Sequence, residues 1–254
     1  MHNTQMAHMQ LSIDTYLRRD RHYDVLDFGS QAAGNGHTHR ELLEGYDVTY
    51  TGVDVTAGEN VDVVMRKPYR LPMKTNSFDL VITGSAFEHI PFMWASFLEI
   101  SRVVRPGGLI FLTAPSRGHI HFEMDCWRFY PDSMRALAAF ARMELVEAHT
   151  DMPPKGEGGR VDYTEVSFPR NYWGDTVGVF RKPLRYSYLV RGIREVVVWW
   201  ANRIGGIEKT PRKYGSKARY DLVPQRGPRP QAAPAPVAPT PVAAAPADTR
   251  PETG

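Results

Sequence analysis

The chain contains a single cysteine, Cys126, which excludes an intramolecular disulfide and fits a reducing compartment. Its first residues, MHNTQMAHMQ, lack the cationic and apolar regions that mark a secretory signal. No apolar run approaches the roughly 20 residues needed to span a bilayer. These absences predict a cytoplasmic protein.

Acidic residues are scarce between positions 181 and 219. This segment holds eleven Lys and Arg against two Glu and carries a charge of +9, whereas the rest of the chain carries −6. A basic face of this kind is most often simply solvated. The alternatives are an anionic partner such as a membrane surface and nucleic acid, of which nucleic acid is not expected.

The composition, 42% hydrophobic and 23% charged, is that of a soluble globular protein. The length fits one α/β domain with additions. We predict a domain over 1–182 with a lid-like loop at 150–173, a basic helical extension over 183–222, and a disordered Pro/Ala-rich tail over 223–254. The loop is alternatively a surface insertion packed by its own aromatic side chains.

The segment 23–36, YDVLDFGSQAAGNG, organises the predicted fold. An apolar strand ends at a glycine-containing turn, and a helix is predicted over 37–45. Such a turn lets the backbone approach a nucleotide-like ligand, with helix N–H groups pointing at it. The spacing of Gly29, Gly34 and Gly36 is irregular, so this segment alone does not identify the ligand.

Strands and helices alternate along the first 182 residues. Strands are predicted at 23–28, 48–55, 61–64, 78–86, 109–115, 143–149 and 174–182, and helices at 10–21, 37–45, 92–104 and 131–142. This order predicts an α/β doubly wound, Rossmann-like sheet of seven strands. The last two strands are joined only by a loop and therefore predict one antiparallel edge hairpin.

Four segments together resemble the class I S-adenosylmethionine-dependent methyltransferases of the methyltransferase type 11 group. They are VLDFGS, YTGVDV, LPMKTNSFDLVITGSAFEHI and RVVRPGGLIFLTAP, and the resemblance covers about residues 20–182. It implies S-adenosylmethionine as cofactor, with Asp54 binding the ribose hydroxyls. The chain departs from the family in its glycine spacing and in Lys67, which stands where the family often has an acid.

The resemblance implies a set of cofactor-binding residues at the carboxyl ends of the strands. They are Asp27, Gly29, Ser30, Gln31, Gly34, Asp54, Val55, Tyr69, Leu71, Gly84 and Ser85.

The segment 116–133, SRGHIHFEMDCWRFYPDS, is similar to a bacterial methyltransferase subgroup linked to cell-surface sugars and glycans. This similarity implies O-methylation of a saccharide substrate in polysaccharide biosynthesis. A sugar hydroxyl is a poor nucleophile while protonated, so a base or a metal ion would assist. The candidate catalytic residues are His121 as base, Asp125 as its partner, and His89.

Mg²⁺ is a possible second cofactor, because several oxygen and nitrogen donors lie near these positions. No spacing is diagnostic, and the ligands stay unassigned. The donors are Glu88, His89, His119, His121, Glu123 and Asp125.

The segment 186–204 predicts a helix whose apolar face contains Ile193, Val196 and Trp200, together with Leu189 and Ile204. We expect this face to pack on the sheet. The alternatives are a homodimer interface, a cap over the substrate and a membrane-surface helix.

The expected function is methyl transfer to a sugar or glycan hydroxyl. Two alternatives remain open: a methyltransferase of another small-molecule oxygen or nitrogen acceptor, and a non-catalytic scaffold that docks on an anionic surface through the basic segment.

Overall fold

A seven-stranded mixed sheet is the centre of the fold. The computed structural model describes residues 3–32, 36–118, 124–151, 174–185 and 188–204. The strands are β1 (Tyr23–Phe28), β2 (Val48–Asp54), β3 (Val63–Val64), β4 (Phe78–Gly84), β5 (Val104–Arg117), β6 (Glu144–Thr150) and β7 (Gly174–Arg181). Their order is β3-β2-β1-β4-β5-β7-β6, and β7 runs antiparallel to both its neighbours. The predicted α/β sheet with an antiparallel edge hairpin is confirmed.

Helices cover both faces of this sheet. They are α1 (Asn3–Tyr16), α2 (Met93–Val103), α3 (Pro131–Ala141) and α4 (Tyr188–Ile204), and 3-10 turns occur at Glu41–Leu43 and Phe87–His89. Buried side chains of α1 pack on one face, and those of α2 and α3 pack on the other. The central strand β4 is therefore covered on both faces, which explains its largely apolar sequence. None of these helices is long and apolar enough to cross a bilayer.

The helix predicted over 37–45 is wrong. The structure has only the 3-10 turn Glu41–Leu43 in this segment, with hydrogen bonds from the N–H groups of Leu42, Leu43 and Glu44 to the carbonyls three residues earlier. Left-handed Gly36 and Gly45, at φ +74° and +79°, bound the segment on both sides. The stretch between them is too short to nucleate an α-helix on its own, and His39 is buried at the sheet edge.

The first helix also differs from its prediction, since α1 begins at Asn3 and ends at Tyr16, before the predicted end at 21. It buries the polar side chains of Gln5 and Ser12 beside Met9 and Ile13. A helix that buries polar groups does not show a clean apolar stripe, so the periodicity missed its first two turns.

Strand β5 begins earlier than predicted. The segment RPGG was expected to separate α2 from a strand at 109, but β5 starts at Val104, directly after α2. Val104 pairs with Phe78, and the register then shifts before Leu80 pairs with Leu109. The glycines therefore form an irregularity within the strand, where Gly107 has φ +82°.

Helix α4 packs on α2 through a face that the sequence did not indicate. Its buried residues are Arg194, Val198 and Ala201. The predicted apolar face is largely exposed, at 50% for Ile193 and 66% for Val196. The expectation that this face packs on the sheet is therefore wrong.

Polar contacts determine the orientation of α4. Asn202 Oδ1 accepts the Tyr69 N–H at 3.2 Å, and Arg70 donates to Glu195 at 2.8 Å. Beneath them, buried Glu99 of α2 forms an ion pair with Arg102 at 2.7 Å. Because charged groups are buried only when paired, this network selects the contact face over the more apolar one.

Every described residue lies within one unit of the chain, Met1–Pro211. The predicted lid over 150–173, apart from its first two residues, and the tail over 223–254 lie outside the described residues. The three-part domain organisation stays a prediction.

Candidate active site

Asp27, at the end of β1, is buried and fully engaged. It accepts hydrogen bonds from the Tyr50 hydroxyl at 2.5 Å and from His39 Nδ1 at 3.0 Å. Gln5 Nε2 donates to His39 Nε2 at 2.8 Å and to Thr113 Oγ1 at 3.0 Å. With Gln5 donating to Nε2, the contact of His39 with Asp27 is a donation from Nδ1. Burial, and then the Asp27 carboxylate, raise the pKa of Tyr50.

Gly29 brings the loop after β1 into contact with the loop after β4. It adopts φ +78°, and a Cβ built on it would lie 2.6 Å from Ala86 Cβ. Only glycine fits this position without strain. The two loops that border the predicted cofactor site therefore touch at their bases.

Asp54 lies at the end of β2 and faces the loop after β1. Its carboxylate accepts the N–H groups of Gln31 at 3.2 Å, Val55 at 2.6 Å and Thr56 at 3.3 Å. A carboxylate offers about four acceptor positions. Capacity therefore remains on the Asp54 carboxylate for a ribose hydroxyl.

The loop after β2 is joined to the loop after β1 by further hydrogen bonds. Asn60 Nδ2 donates to the Ser30 carbonyl at 2.9 Å, and Ser30 Oγ donates to the Asn60 carbonyl at 2.9 Å. The Ala32 N–H donates to the Glu59 carbonyl at 3.2 Å. These bonds fix the edge on which an adenosine would lie.

Two predicted cofactor residues face the core. The Tyr69 side chain is buried beside Phe92, with ring centroids 5.5 Å apart, and Leu71 lies in the main core cluster. Their N–H groups donate to Asn202 and Glu99. The structure does not bring either side chain to the loop around Asp54.

At the end of β4, Gly84 leaves room for side chains from the opposite face. A Cβ on Gly84 would meet the Gln5 amide at 2.0 Å and His39 Nε2 at 2.8 Å. The next residue, Ser85, adopts φ +50° and donates its N–H to the Thr113 carbonyl at 3.0 Å. Helix α1 therefore contributes directly to this edge of the sheet.

Glu88 lies in the turn that follows and is buried. Its Oε2 has no hydrogen-bond partner among the described residues. Burial raises the pKa of Glu88 to about 8, and the nearby carboxylates of Asp175 and Asp125 contribute in the same direction. A buried carboxyl group with a free oxygen beside a ligand loop is suited to accept or donate a proton.

The segment 124–130 packs against this turn. His89 Nδ1 donates to the Met124 carbonyl at 2.5 Å, and the Cys126 N–H donates to the Glu88 carbonyl at 2.7 Å. Asp125 is paired with Arg128 through two bonds, of 2.5 and 2.7 Å. The structure thus brings two predicted catalytic residues, His89 and Asp125, next to Glu88.

The start of β7 adds a second buried carboxyl group. Asp175 accepts from the Thr4 hydroxyl at 2.7 Å, and its N–H donates to Asp151 Oδ2 at 3.2 Å. Burial raises the pKa of Asp175. His8 of α1 contacts the same Asp151 at 2.9 Å.

Sequence reasoning did not single out this cluster. Besides Glu88 Oε2, the buried polar atoms without a partner in the described residues include Gln5 Oε1, Ser85 Oγ, Ser116 Oγ and Asp175 Oδ1. They come from α1 and from the ends of β4, β5 and β7. Glu88 precedes His89 in the segment GSAFEH, which was a usable signal, whereas Gln5 and Asp175 are brought there only by tertiary structure.

Gly34 and His121 lie outside the described residues, so their roles stay predictions. In the part of the chain that is described, no three His, Cys, Asp or Glu side chains converge as a metal site. Among the donors proposed for Mg²⁺, His119, His121 and Glu123 fall outside that part.

The described residues fit an adenosine-containing cofactor. Gly29 provides close backbone approach, and the Asp54 carboxylate has acceptor capacity on the adjacent loop. Ser85 Oγ, which has no hydrogen-bond partner in the described part of the chain, lies directly after β4. The helix N-terminus that was expected after residue 36 is absent from the described segment 36–45, so cofactor contacts there would come from loop N–H groups.

Comparison with known proteins supports this interpretation. A sequence model of the methyltransferase domain family matches residues 26–112. A demethylmenaquinone methyltransferase of Staphylococcus saprophyticus is 30% identical over 71 residues, which are 28% of this chain and 30% of that protein. An uncharacterized methyltransferase of Mycobacterium avium is 33% identical over 93 residues, 35% of each chain.

The chain therefore spans about a third of the length of these curated relatives. Among solved structures, the 1,6-didemethyltoxoflavin-N1-methyltransferase of Burkholderia thailandensis is similar with a TM-score of 0.51 and 18% identity. The match covers 70% of this chain and 78% of that one. Residues 26–112 thus resemble a methyltransferase domain, and the chain has the same α/β fold as that methyltransferase, as the sequence predicted.

Proposed function

We propose that the protein transfers a methyl group from S-adenosylmethionine to a hydroxyl group of a sugar or glycan. The observation that carries this proposal is Glu88, a buried carboxyl group directly after the loop that contacts Gly29, with one oxygen that no described residue pairs. When bound, S-adenosylmethionine supplies an electrophilic methyl group, whose bond to sulfur breaks as the acceptor oxygen bonds to carbon.

The residues of the site handle the proton of the acceptor hydroxyl. Glu88 accepts it at Oε2, and its pKa of about 8 suits an exchange near neutral pH. His89 Nε2 lies 3.6 Å from the other carboxylate oxygen, Oε1. Much of the remaining rate enhancement would come from holding the acceptor oxygen in line with the methyl group.

His121 remains the second candidate for the base. It was the first choice from the sequence, and nothing in the described residues tests it. His121→Ala is expected to keep cofactor binding and lose most turnover if His121 is the base, whereas Glu88→Gln has that result if Glu88 is the base. Turnover of both variants with one acceptor separates the two assignments.

The saccharide acceptor is supported by the segment 124–130. Its Asp125–Arg128 pair offers both hydrogen-bond acceptors and donors, and Trp127 offers an aromatic face. Sugars are bound by groups of these two kinds. This segment belongs to the stretch whose sequence is similar to the subgroup linked to cell-surface glycans.

A methyl-transfer screen tests the proposal. The full chain is incubated with S-adenosylmethionine labelled in the methyl group and a panel of mono- and oligosaccharides, with and without Mg²⁺. Label transferred to one saccharide supports the proposal, and dependence on Mg²⁺ would support a metal. Methylmannosides in the panel test a narrower hypothesis, that the chain is a mycobacterial methylmannoside 1-O-methyltransferase.

Methylation of a different small molecule is the second candidate. The names of two similar proteins, a demethylmenaquinone methyltransferase and a didemethyltoxoflavin methyltransferase, indicate non-saccharide acceptors for those proteins. Transfer to a quinol or a nitrogen heterocycle, with none to saccharides, would favour it. Absence of transfer to any acceptor, with no cofactor binding, would favour the scaffold.

We also propose that the segment 183–222 contacts an anionic membrane surface, with a homodimer through the same helix as the competing arrangement. Exposed Val196 and Trp199, at 66% and 65%, and the basic composition support it. Flotation of the full chain with anionic vesicles is expected, and Trp199→Ser should reduce it. Equal flotation with neutral vesicles would contradict the proposal. So would a protein that does not float but forms a dimer that Trp199→Ser dissociates.

A further inference from the structure

An apolar groove lies on the α2, α3 and α4 side of the sheet, outside the polar cluster described above. Its volume is about 660 Å³, within the range of small-molecule sites. Aromatic and aliphatic side chains form its walls, including Trp94, Trp127, Phe129, Phe140, Val197 and Trp200. The polar side chains that line it are Arg128 and Ser133.

The segment 124–130 links the groove to the candidate active site. Arg128 lines the groove, and its guanidinium group is bonded to Asp125 beside Glu88. The Trp127 indole N–H donates to the Ile90 carbonyl at 3.0 Å, directly after the turn that contains Glu88. One end of the groove therefore lies against the residues that would handle the acceptor.

The groove also continues into the exposed face of α4. Val197 and Trp200 line the groove, while Val196 and Trp199, one position before each, are exposed to solvent. The helix is held by its opposite face, through Val198 and Ala201. Tryptophan beside basic residues is typical of surfaces that meet a lipid interface.

We propose that this groove binds the apolar chain of a lipid-linked saccharide, whose sugar reaches Glu88 and Asp125. The inference rests on the proposed function and deepens it, because it names the class of acceptor. A free sugar would leave the apolar walls uncovered. An amphiphilic acceptor matches the arrangement on both sides of Arg128: apolar walls away from the site, and paired charges within it.

Binding of an alkyl chain in the groove can be measured without methyl transfer. Dodecyl maltoside with a brominated alkyl chain is titrated into the protein below its micelle-forming concentration. Tryptophan fluorescence is recorded during the titration. Trp94, Trp127 and Trp200 line the groove, so bound probe is expected to quench them saturably. Across a series from octyl to dodecyl, the affinity should rise about twofold to fourfold per methylene until the groove is filled.

Helix α3 offers a matched pair of variants. Both Ala136 and Ala139, one turn apart, are exposed, but only Ala136 lines the groove. Ala136→Phe is expected to lower the affinity for the probe at least tenfold. Ala139→Phe should stay within twofold of the wild type, and both should bind S-adenosylmethionine normally.

Several results would overturn the inference. They are unsaturable quenching, equal losses in both variants, and an affinity independent of chain length. A dimer that Ala136→Phe dissociates, with no probe binding by the wild type, would assign the groove to a second copy. If a soluble sugar is methylated and the chain length of its glycoside leaves KM unchanged, the lipid inference fails and the proposed function stands. Saturable probe binding without any cofactor binding would refute the proposed function instead.

Discussion

The two halves of the sheet edge differ in how their polar groups are satisfied. Around β1 and β2, the polar side chains that face the loops are paired: Asp27 with His39 and Tyr50, and Asp54 with three N–H groups. Around the ends of β4, β5 and β7, buried atoms such as Glu88 Oε2 and Asp175 Oδ1 have no partner among the described residues.

This difference separates cofactor binding from acceptor binding. A paired, hydrogen-bonded edge is preorganised and binds its ligand at little cost in ordering. Unpaired buried groups are costly in a folded protein and tend to be retained at sites of chemistry. The first half lies within the region matched by the methyltransferase domain family, and much of the second half comes from α1, β7 and the segment 124–130.

The largest effect is expected from Glu88→Gln. If the unpaired half performs the proton transfer, turnover should fall about 10²–10⁴-fold while the affinity for S-adenosylmethionine changes less than twofold. Turnover assays and calorimetry on the same preparation measure both. Near-normal turnover would remove Glu88 as the base and leave His121.

Substitution of Gly29 tests the cofactor half. Gly29→Ala introduces a Cβ 2.6 Å from Ala86 Cβ at φ +78°, and should weaken cofactor binding at least ~30-fold because the two loops must separate. Gly107→Ala is the matched control, since it has φ +82° but its Cβ meets only Leu184 Cδ2, at 3.4 Å. Equal cofactor affinity in both variants would show that the contact of the loops is not needed.

A smaller loss is expected from Asp54→Asn. The change removes charge and half of the acceptor capacity, so affinity for the cofactor should fall roughly tenfold. Asp62→Asn is the control, because the Asp62 carboxylate accepts the Gly52 N–H of the same strand at 2.6 Å and Arg40 at 3.2 Å, whereas Asp54 accepts the Gln31 N–H. Unchanged binding by Asp54→Asn would indicate that the ribose is held elsewhere.

The pH dependence of stability sharpens the contrast without a ligand. The folded-state pKa of Glu88 is raised to about 8, so the folded protein keeps a proton that the unfolded chain releases above its ordinary value of 4.5. The contribution of Glu88 to the free energy of unfolding therefore falls as the pH rises toward 8. Between pH 5 and pH 9, the Tm of the wild type should therefore fall by about 5–10 °C more than the Tm of Glu88→Gln. A constant difference in Tm would show that Glu88 titrates normally.

Sequence alone predicted the strands because β1 and β4 are largely apolar segments buried on both faces, a pattern that needs no tertiary information. It also placed Gly29 and Asp54 at the ends of adjacent strands. The helix over 37–45 was wrong because His39 is held by Gln5, 34 residues earlier, and no local pattern reports that bond.

The face of α4 was wrong for a related reason. Periodicity selects the most apolar face, but the charged face of α4 is the one that pairs with neighbouring elements, Glu195 with Arg70 and Arg194 with Glu99. The properties of Glu88 were likewise hidden, because a raised pKa depends on burial and on Asp125 and Asp175, which are distant in sequence.

Calorimetric titration of the full chain with S-adenosylmethionine tests the central claim most directly, that the paired half of the sheet edge is a preformed cofactor site. A preformed site should bind one cofactor per chain saturably in the absence of any acceptor. The fold of the protein used is verified by circular dichroism. No binding heat up to high micromolar cofactor from such folded protein, at two temperatures, would contradict it.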